Sequence, residues 1–203
     1  MFEFTETFLN ADLNIQEAEL QPKRYCNEAN IPLNTLLKVF VIKITDGDTI
    51  HVVQVANEDP KEIFNENGEV KNHYKNWKIR LSGIDAPETQ KNHRQGQAFS
   101  VKATNYLSEL IFNKIIYMKV LDTDPYGRLL CMLYVKIDGH FKNVNMIMLR
   151  AGLAVVYKGT EALYGGLMGE MEKATKLAQE EHLNVFSQDH FITPDEYKHP
   201  NKY

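Results

Sequence analysis

The chain has 203 residues and a net charge of −4, with 43% hydrophobic and 25% charged residues. That length suits one globular domain with additional arms, and the composition excludes collagen-like, coiled-coil and wholly disordered chains. The negative net charge argues against a protein whose entire surface is built to hold nucleic acid.

The charges are unevenly distributed along the chain. Residues 1–35 hold six acids against two basic residues, whereas residues 71–94 hold six Lys or Arg against two acids. We therefore predict that residues 1–35 form an acidic N-terminal arm that wraps or tethers. Residues 71–94 are predicted to form a local cationic patch that could track phosphates.

The cysteine content and the N-terminus indicate the kind of compartment. The two cysteines, Cys26 and Cys131, are too few for a disulfide framework and have no metal-site spacing. The N-terminus has neither the basic and apolar regions of a secretory signal nor the arginine-rich character of a transit peptide. No apolar run approaches the roughly 20 residues that span a bilayer. We expect a soluble, intracellular chain without a transmembrane segment, and the compartment stays open.

The first predicted elements are three strands. Residues 36–44 and 49–55 are apolar and β-branched, and an Asp-Gly-Asp turn separates them. Residues 77–82 alternate strictly, so that Arg80 points away from the core side of its strand. Between the second and third strands, residues 56–70 hold five acids, a proline and an Asn-Gly pair. We predict a solvated hairpin insertion there, at about residues 56–72.

The second half alternates between helices and strands. A helical stripe ends near residue 111, and two strands follow at residues 115–120 and 128–135. Asp138-Gly139 predicts a hairpin turn, and Asn143 can cap a short helix. A third helix is expected at about residues 167–181, followed by an irregular tail. This order of elements predicts a small Greek-key barrel decorated by helices.

Three acids fall where predicted strands bend or end, because Asp46 and Asp48 flank Gly47 and Asp85 follows the third strand. Carboxylates with backbone carbonyls and water form the irregular oxygen shell that Ca²⁺ accepts at about 2.3–2.6 Å. Taken alone, an Asp-Gly-Asp sequence is more often only a turn. A single arginine such as Arg80 is likewise more often a surface ion-pair partner.

The remaining candidates are equally ordinary in isolation. Glu88 directly follows Pro87, a position typical of turns and helix starts. Tyr126-Gly127-Arg128 is by itself a tight turn. A functional site is indicated only when these residues are taken together, in their order and spacing.

Four segments together resemble the thermonuclease, or staphylococcal-nuclease-like, family. They are VIKITDGDT, RLSGIDAPET, DPYGRLL and LRAGLA, which begin at Val41, Arg80, Asp124 and Leu149. The resemblance covers roughly residues 39–186. It implies an α+β fold in which a five-stranded, OB-fold, Greek-key β-barrel carries three helices. The nuclease-like domain would then occupy residues 36–187, after the arm at 1–35 and before a tail at 188–203.

The resemblance implies a calcium site. Asp48 and Asp85 match the calcium-binding carboxylates. Asp46 matches an acid that contacts the calcium ion through a water molecule or contacts one of the ion's ligands. Ala86 stands where the founding bacterial enzyme has threonine. Since that position ligates through its backbone carbonyl, alanine is compatible with the role.

The resemblance also implies the catalytic and nucleotide-binding residues. Arg80 and Arg128 match two arginines that grip the scissile phosphate, and Glu88 matches the acid that activates the attacking water. Tyr126 and Tyr157 match tyrosines that line the nucleotide pocket. Arginine suits the first role because its planar fork donates in pairs to phosphate oxygens.

Two functions follow as expectations. The first is a Ca²⁺-dependent endonuclease that hydrolyses phosphodiester bonds of single-stranded DNA or RNA with little sequence specificity and leaves 3′-phosphate ends. The alternative is a non-catalytic module of the same fold, a nucleic-acid-binding or structural subunit of a larger assembly, because fold alone does not determine function. Its protein partner would bind the N-terminal arm or the tail. The tail resembles the small eukaryotic branch of the family, which adds mitochondria to the candidate compartments.

Overall fold

The structure is a computed structural model that describes residues 25, 27, 30–55, 59–90, 94–159 and 162–200. Most of the acidic arm, Cys26, the start of the 56–72 insertion and Lys91 lie outside the described residues. Cys131 is fully buried in the core. None of the helices within the described ranges combines the length and apolarity needed to cross a bilayer.

Eight strands within the described residues build a closed barrel and a small additional sheet. They are β1 (Leu36–Asp46), β2 (Thr49–Gln54), β3 (Asn76–Leu81), β4 (Ile84–Asp85), β5 (Ile115–Thr123), β6 (Leu129–Ile137), β7 (His140–Asn143) and β8 (Val155–Val156). The large sheet has the order β3-β2-β1-β5-β6-β7, and β3 also pairs with β6 in parallel. That pairing closes a five-stranded barrel, as the sequence predicts, while β4 pairs with β8.

The barrel interior is filled by the alternating apolar residues of its strands. Trp77, Ile79 and Leu81 of β3 are fully buried, whereas Lys78 between them is exposed. Successive strand residues face opposite sides, so one face of β3 enters the core and the other remains in contact with solvent. Replacing Ile79 with alanine should cost about 2–5 kcal/mol of stability, because the packed interior would be left with a cavity.

Four α-helices surround the barrel in the described part of the chain. They are α1 (Ser100–Ile111), α2 (Val144–Arg150), α3 (Met168–Glu180) and α4 (Pro194–Lys198). The Asn143 side chain accepts the N–H of Met146 and so caps α2, as predicted. Helix α1 buries Ala103, Leu107 and Ile111 along one stripe. The first three helices are those expected from the sequence.

The prediction of an irregular tail is confirmed for residues 188–193 but was wrong for the short helical segments on either side of them. A 3₁₀ turn forms at Asn184–Ser187, and α4 follows it. The Thr193 and Glu196 side chains each accept the other's backbone N–H, and Pro194 occupies the first turn. This is a capping box with proline at a favoured position, so a helix-start signal was present in the sequence.

The insertion between β2 and β3 is only partly solvated. Its described part contains a 3₁₀ turn at Pro60–Ile63 and an antiparallel pairing of Phe64 with Val70. Ile63 is fully buried in a small cluster with Phe40 and Val53, which anchors the base of the hairpin. In the β2–β3 register, Val53 pairs with Asn76 and Thr49 with Arg80. The insertion therefore leaves the strands at the end opposite to Arg80.

Candidate active site

The turn between β1 and β2 brings Asp48 into contact with Ala86. A Cβ at Gly47 would lie 2.7 Å from the Cβ of Ala86 and 2.9 Å from that of Ala103, so the turn can approach this closely only with glycine. The backbone N–H of Ala86 donates to Asp48 Oδ2 at 2.8 Å, and Thr49 Oγ1 donates to Oδ1 at 3.0 Å. Asp48 is consequently held almost completely buried.

Asp85 reaches the same point from β4, which follows the turn after β3. Gly83 adopts a φ of +74° between β3 and β4, a conformation that glycine takes without strain. Arg80 Nη2 then lies 2.6 Å from Asp85 Oδ1 and donates to the carbonyl of Ile84 at 3.2 Å. Arg80 Nη1 pairs with Asp48 Oδ1. One guanidinium therefore bridges the two buried carboxylates.

The electrostatics of this cluster reflect burial and crowding. Burial favours a higher pKa for Asp48, but the Arg80 guanidinium and the Ala86 N–H hold its pKa below the ordinary value. For Asp85, burial raises the pKa despite the nearby Arg80 charge, and Asp48 adds to the rise. Burial and the charge of Asp48 raise the pKa of Asp46 to about 6. The cluster thus holds more negative charge than Arg80 alone can neutralise.

Arg128 is positioned by a residue that the sequence analysis did not single out. Asp124 Oδ1 accepts the backbone N–H groups of Tyr126 and Arg128, both at 2.9 Å. Asp124 Oδ2 lies 2.6 Å from Arg128 Nε. An aspartate that starts a turn commonly accepts backbone N–H groups in this way, so Asp-Pro-Tyr-Gly-Arg carried the signal. Tyr126 itself is 85% exposed.

Glu88 is fixed through its backbone. Its N–H donates to Gln97 Oε1, and its carbonyl accepts the N–H of Gln97, both at 2.9 Å. Its carboxylate lies 3.4 Å from Lys198 Nζ of α4. Tyr157 is placed beside the site by a backbone hydrogen bond to the carbonyl of Gly83 at 3.0 Å.

Six of the nine predicted site residues line one cavity of about 610 Å³. The side chains that line it come from the end of β1, from β3, from the loop after β4, from the β5–β6 turn, from the segment after β8 and from α4. Those used below are Asp46, Arg80, Glu88, Asp124, Tyr126, Arg128, Tyr157 and Lys198. Asp48, Asp85 and Ala86 are buried next to this lining, and Arg80 connects the first two to it.

Two arginines of the cationic patch predicted at residues 71–94 have partners within the protein. Lys75 and Lys78 are exposed, but Arg80 is paired with the buried acids. Arg94 stacks on Tyr197, with its guanidinium carbon 4.0 Å from the ring centroid. Lys91 lies outside the described residues. Arg80 and Arg94 are therefore engaged by groups of the protein itself, and the patch as a whole stays a prediction.

The donor chemistry of the acidic cluster fits a hard divalent cation. Asp46, Asp48 and Asp85 offer only oxygen atoms. Burial and, after it, the charge of Asp48 raise the pKa values of Asp46 and Asp85, and a bound cation would favour the ionised carboxylates. Among the residues that the structure describes, no three His, Cys, Asp or Glu side chains form a ready-made metal site. Arg80 and Lys198 occupy carboxylate oxygens of the cluster. Coordination would therefore require these two cations to give up part of their contacts.

Comparison with known proteins connects this geometry to a family. The profile described as staphylococcal nuclease homologue matches residues 78–188, more than half of the chain. Endonuclease Htp3 of Saprolegnia parasitica is 34% identical over 163 residues, which cover 78% of this chain and 74% of that protein. A probable endonuclease of Schizosaccharomyces pombe is 26% identical over 211 aligned positions, covering 94% and 88%.

A further relative, the probable endonuclease LCL3 of Candida glabrata, is 33% identical over 121 residues. The match covers 59% of this chain and 47% of that protein, so the chain spans about half the length of this relative. Arg80, Asp85, Glu88 and Arg128 lie within the segment that the family profile covers. The chain therefore belongs to the family of staphylococcal nuclease homologues, which are phosphodiester hydrolases.

Proposed function

We propose that the chain is a Ca²⁺-dependent endonuclease that cleaves single-stranded DNA and RNA with little sequence preference. The observation that carries this proposal is the convergence of Arg80, Arg128 and Glu88 on one cavity. Two arginines and a carboxylate are the groups that hydrolysis of a phosphodiester requires, since negative charge develops on the phosphoryl oxygens while water attacks.

Asp48 and Asp85 would hold the Ca²⁺ ion, with the backbone carbonyl of Ala86 as a further ligand and Asp46 acting through water. This all-oxygen set favours Ca²⁺ over zinc, which prefers imidazole and thiolate. When bound, the ion supplies Lewis-acid stabilisation of the charge that develops on the phosphoryl group.

Arg80 and Arg128 would bind the scissile phosphate. Asp124 contacts Arg128 at Nε. The two terminal nitrogens of Arg128 can therefore donate a pair of parallel hydrogen bonds to phosphate oxygens. Arg80 is engaged with Asp48 and Asp85. To donate to a phosphate, the Arg80 guanidinium would have to give up part of its contacts with these two carboxylates.

Glu88 would act as the general base. It would accept a proton from the water as the new bond to phosphorus forms. The bond from phosphorus to the 5′ oxygen breaks, that oxygen takes a proton from solvent and leaves as a 5′ hydroxyl, and a 3′-phosphate end remains. General-base assistance of this kind contributes about 10²–10⁴-fold to the rate. The backbone contacts of Glu88 with Gln97 fix the position from which its carboxylate acts.

Tyr126 and Tyr157 would contact the nucleotide. Both line the cavity, and Tyr126 is almost fully exposed. Aromatic rings stack on any base, so these contacts favour single strands without selecting a sequence.

Cleavage of single-stranded DNA and RNA in Ca²⁺ and in a chelator tests the proposal. We expect cleavage only with Ca²⁺, and we expect Glu88→Gln to bind DNA normally while losing at least about 10²-fold in turnover. Full activity in the chelator would refute the metal requirement. DNA binding without cleavage by the parent would instead support the alternative of a non-catalytic subunit that binds a protein partner through its arm or tail.

A further inference from the structure

Helix α4 contributes a lysine to the carboxylate cluster. Lys198 Nζ lies 3.0 Å from Asp85 Oδ1 and 2.9 Å from Asp85 Oδ2, and it is 3.4 Å from Glu88 Oε1. The Lys198 side chain is 32% exposed, whereas that of Asp85 is 2% exposed. One ammonium group thus spans the carboxylate assigned to metal binding and the carboxylate assigned to the attacking water.

The position of Lys198 does not depend on these ion pairs alone. The Tyr197 hydroxyl donates to the carbonyl of Gln95, and its ring stacks under the Arg94 guanidinium. Arg94 also donates to the carbonyl of Tyr197, and Gln97 Nε2 donates to the carbonyl of Ile192 at 2.9 Å. Residues 94–97 therefore hold α4 over the cluster and deliver Lys198 to it.

Lys198 and a divalent cation would require the same oxygen atoms. Both oxygens of Asp85 accept from the ammonium group, and Arg80 takes a further contact on Oδ1. A cation coordinated by Asp85 must replace part of this set, and a lysine ammonium left beside it would be repelled as a like charge.

We propose that Lys198 is a positioning residue of the active site. Its ammonium group holds the Asp85 and Glu88 carboxylates while no divalent cation is bound, and a cation must displace this ammonium group in order to bind. The inference rests on the proposed function, because that function assigns Asp85 as a metal ligand. The tail thereby sets the Ca²⁺ concentration at which the site becomes occupied.

Calorimetric titration of the full chain with Ca²⁺, without substrate, tests this competition. Lys198→Met removes the charge and keeps the side-chain length, and we expect it to bind Ca²⁺ about five- to tenfold more tightly, because a partly exposed ion pair no longer has to be broken. Lys198→Arg retains a cation and should stay near the parent affinity. Lys176→Met, at an exposed position of α3 paired only weakly with Glu180, is the matched control and should leave the affinity unchanged.

A second variant separates charge competition from general loosening of the tail. Tyr197→Ala removes the hydroxyl and ring contacts that hold α4, so it should also tighten Ca²⁺ binding when Lys198 is present. In the Lys198→Met background, the same substitution should have no effect, since there is no ammonium group left to deliver. Equal effects of Tyr197→Ala in both backgrounds would overturn the proposal.

The outcomes distinguish this inference from the proposed function. Unchanged or weaker Ca²⁺ binding by Lys198→Met, with normal binding by the parent, would overturn the inference alone. Failure of the parent to bind Ca²⁺, or binding that survives Asp85→Asn, would overturn the metal assignment and the inference with it.

Discussion

Replacing Arg80 with methionine should destabilise the protein strongly when no divalent cation is added. The Arg80 side chain is 15% exposed, and those of Asp48 and Asp85 are 4% and 2% exposed. Removing one partner from a buried ion pair typically costs about 3–5 kcal/mol, because the other charge stays buried without compensation. Two carboxylates depend on this guanidinium and Lys198 supports only one of them, so we expect a loss in that range.

The sign of the pH dependence follows from the carboxylates. In the parent, Arg80 contributes to holding the pKa of Asp48 below its ordinary value. The stability that this pairing contributes is present above the unfolded pKa and is lost as the pH falls through the folded pKa. Arg80→Met removes that contribution, and burial without the guanidinium should raise the pKa of Asp48 in the variant. The cost of the substitution should therefore be full at pH 8 and smaller at pH 5, where the buried Asp48 of the variant can take up a proton.

Urea unfolding in a chelator, at pH 8 and pH 5, measures the effect. Arg150→Met is the matched control, because Arg150 also makes two contacts with one carboxylate, Glu181, but that acid is 46% exposed. Exposed pairs contribute about 0–1 kcal/mol. If Arg80→Met lost no more stability than Arg150→Met, or lost more at pH 5 than at pH 8, the account of the cluster as a buried ionic network would be wrong.

Three further predictions concern turnover, stability and the acidic extensions. Arg80→Lys and Arg128→Lys should each lower turnover by about two orders of magnitude, the scale for loss of a transition-state donor, with near-parent circular dichroism; parent-like turnover in both would contradict the phosphate assignment. Asp46→Asn should raise the free energy of unfolding by about 1–2 kcal/mol above pH 6 and leave it almost unchanged below pH 4, because the pKa of Asp46 is raised to about 6 and its ionised form is destabilising. A gain in stability confined to low pH would contradict this reasoning. Deleting residues 1–34, or shortening the hairpin turn within residues 56–70, should leave DNA affinity unchanged across a salt series. Tighter binding at low salt alone would place either segment over the site.

The barrel and the family were predictable because their signals are local. The strict alternation around Ile79, the turn at Asp46-Gly47-Asp48 and the cap at Asn143 each depend on neighbouring residues. The five-stranded fold, the family and the class of phosphodiester hydrolase are confirmed. The assignment of individual site residues and of Ca²⁺ stays a prediction.

The contacts of the site were not predictable in the same way. Lys198 meets Asp85 across 113 positions of the chain, and no periodicity relates two residues so far apart. Strand alternation placed Arg80 on the face of β3 that points away from the core, but it did not reveal that the guanidinium is largely buried there by its contacts with Asp48 and Asp85. The helix-start signal at Thr193 was readable, yet only the docking of the helix on residues 94–97 reveals which cavity it enters.

The parallel seam between β3 and β6 links the closure of the barrel to its chemistry. Three residue pairs form that seam, Arg80 sits in the middle one, and Arg128 immediately precedes Leu129 at its end. Buried Asn145 fastens the seam by donating to the carbonyl of Ser82 and accepting the N–H of Leu133. Local opening of a short pairing requires less free energy than global unfolding. On heating, we therefore expect the β3–β6 pairing to open and the two arginines to separate while most of the sheet persists. Cleavage should then be lost at temperatures where circular dichroism still indicates a folded protein.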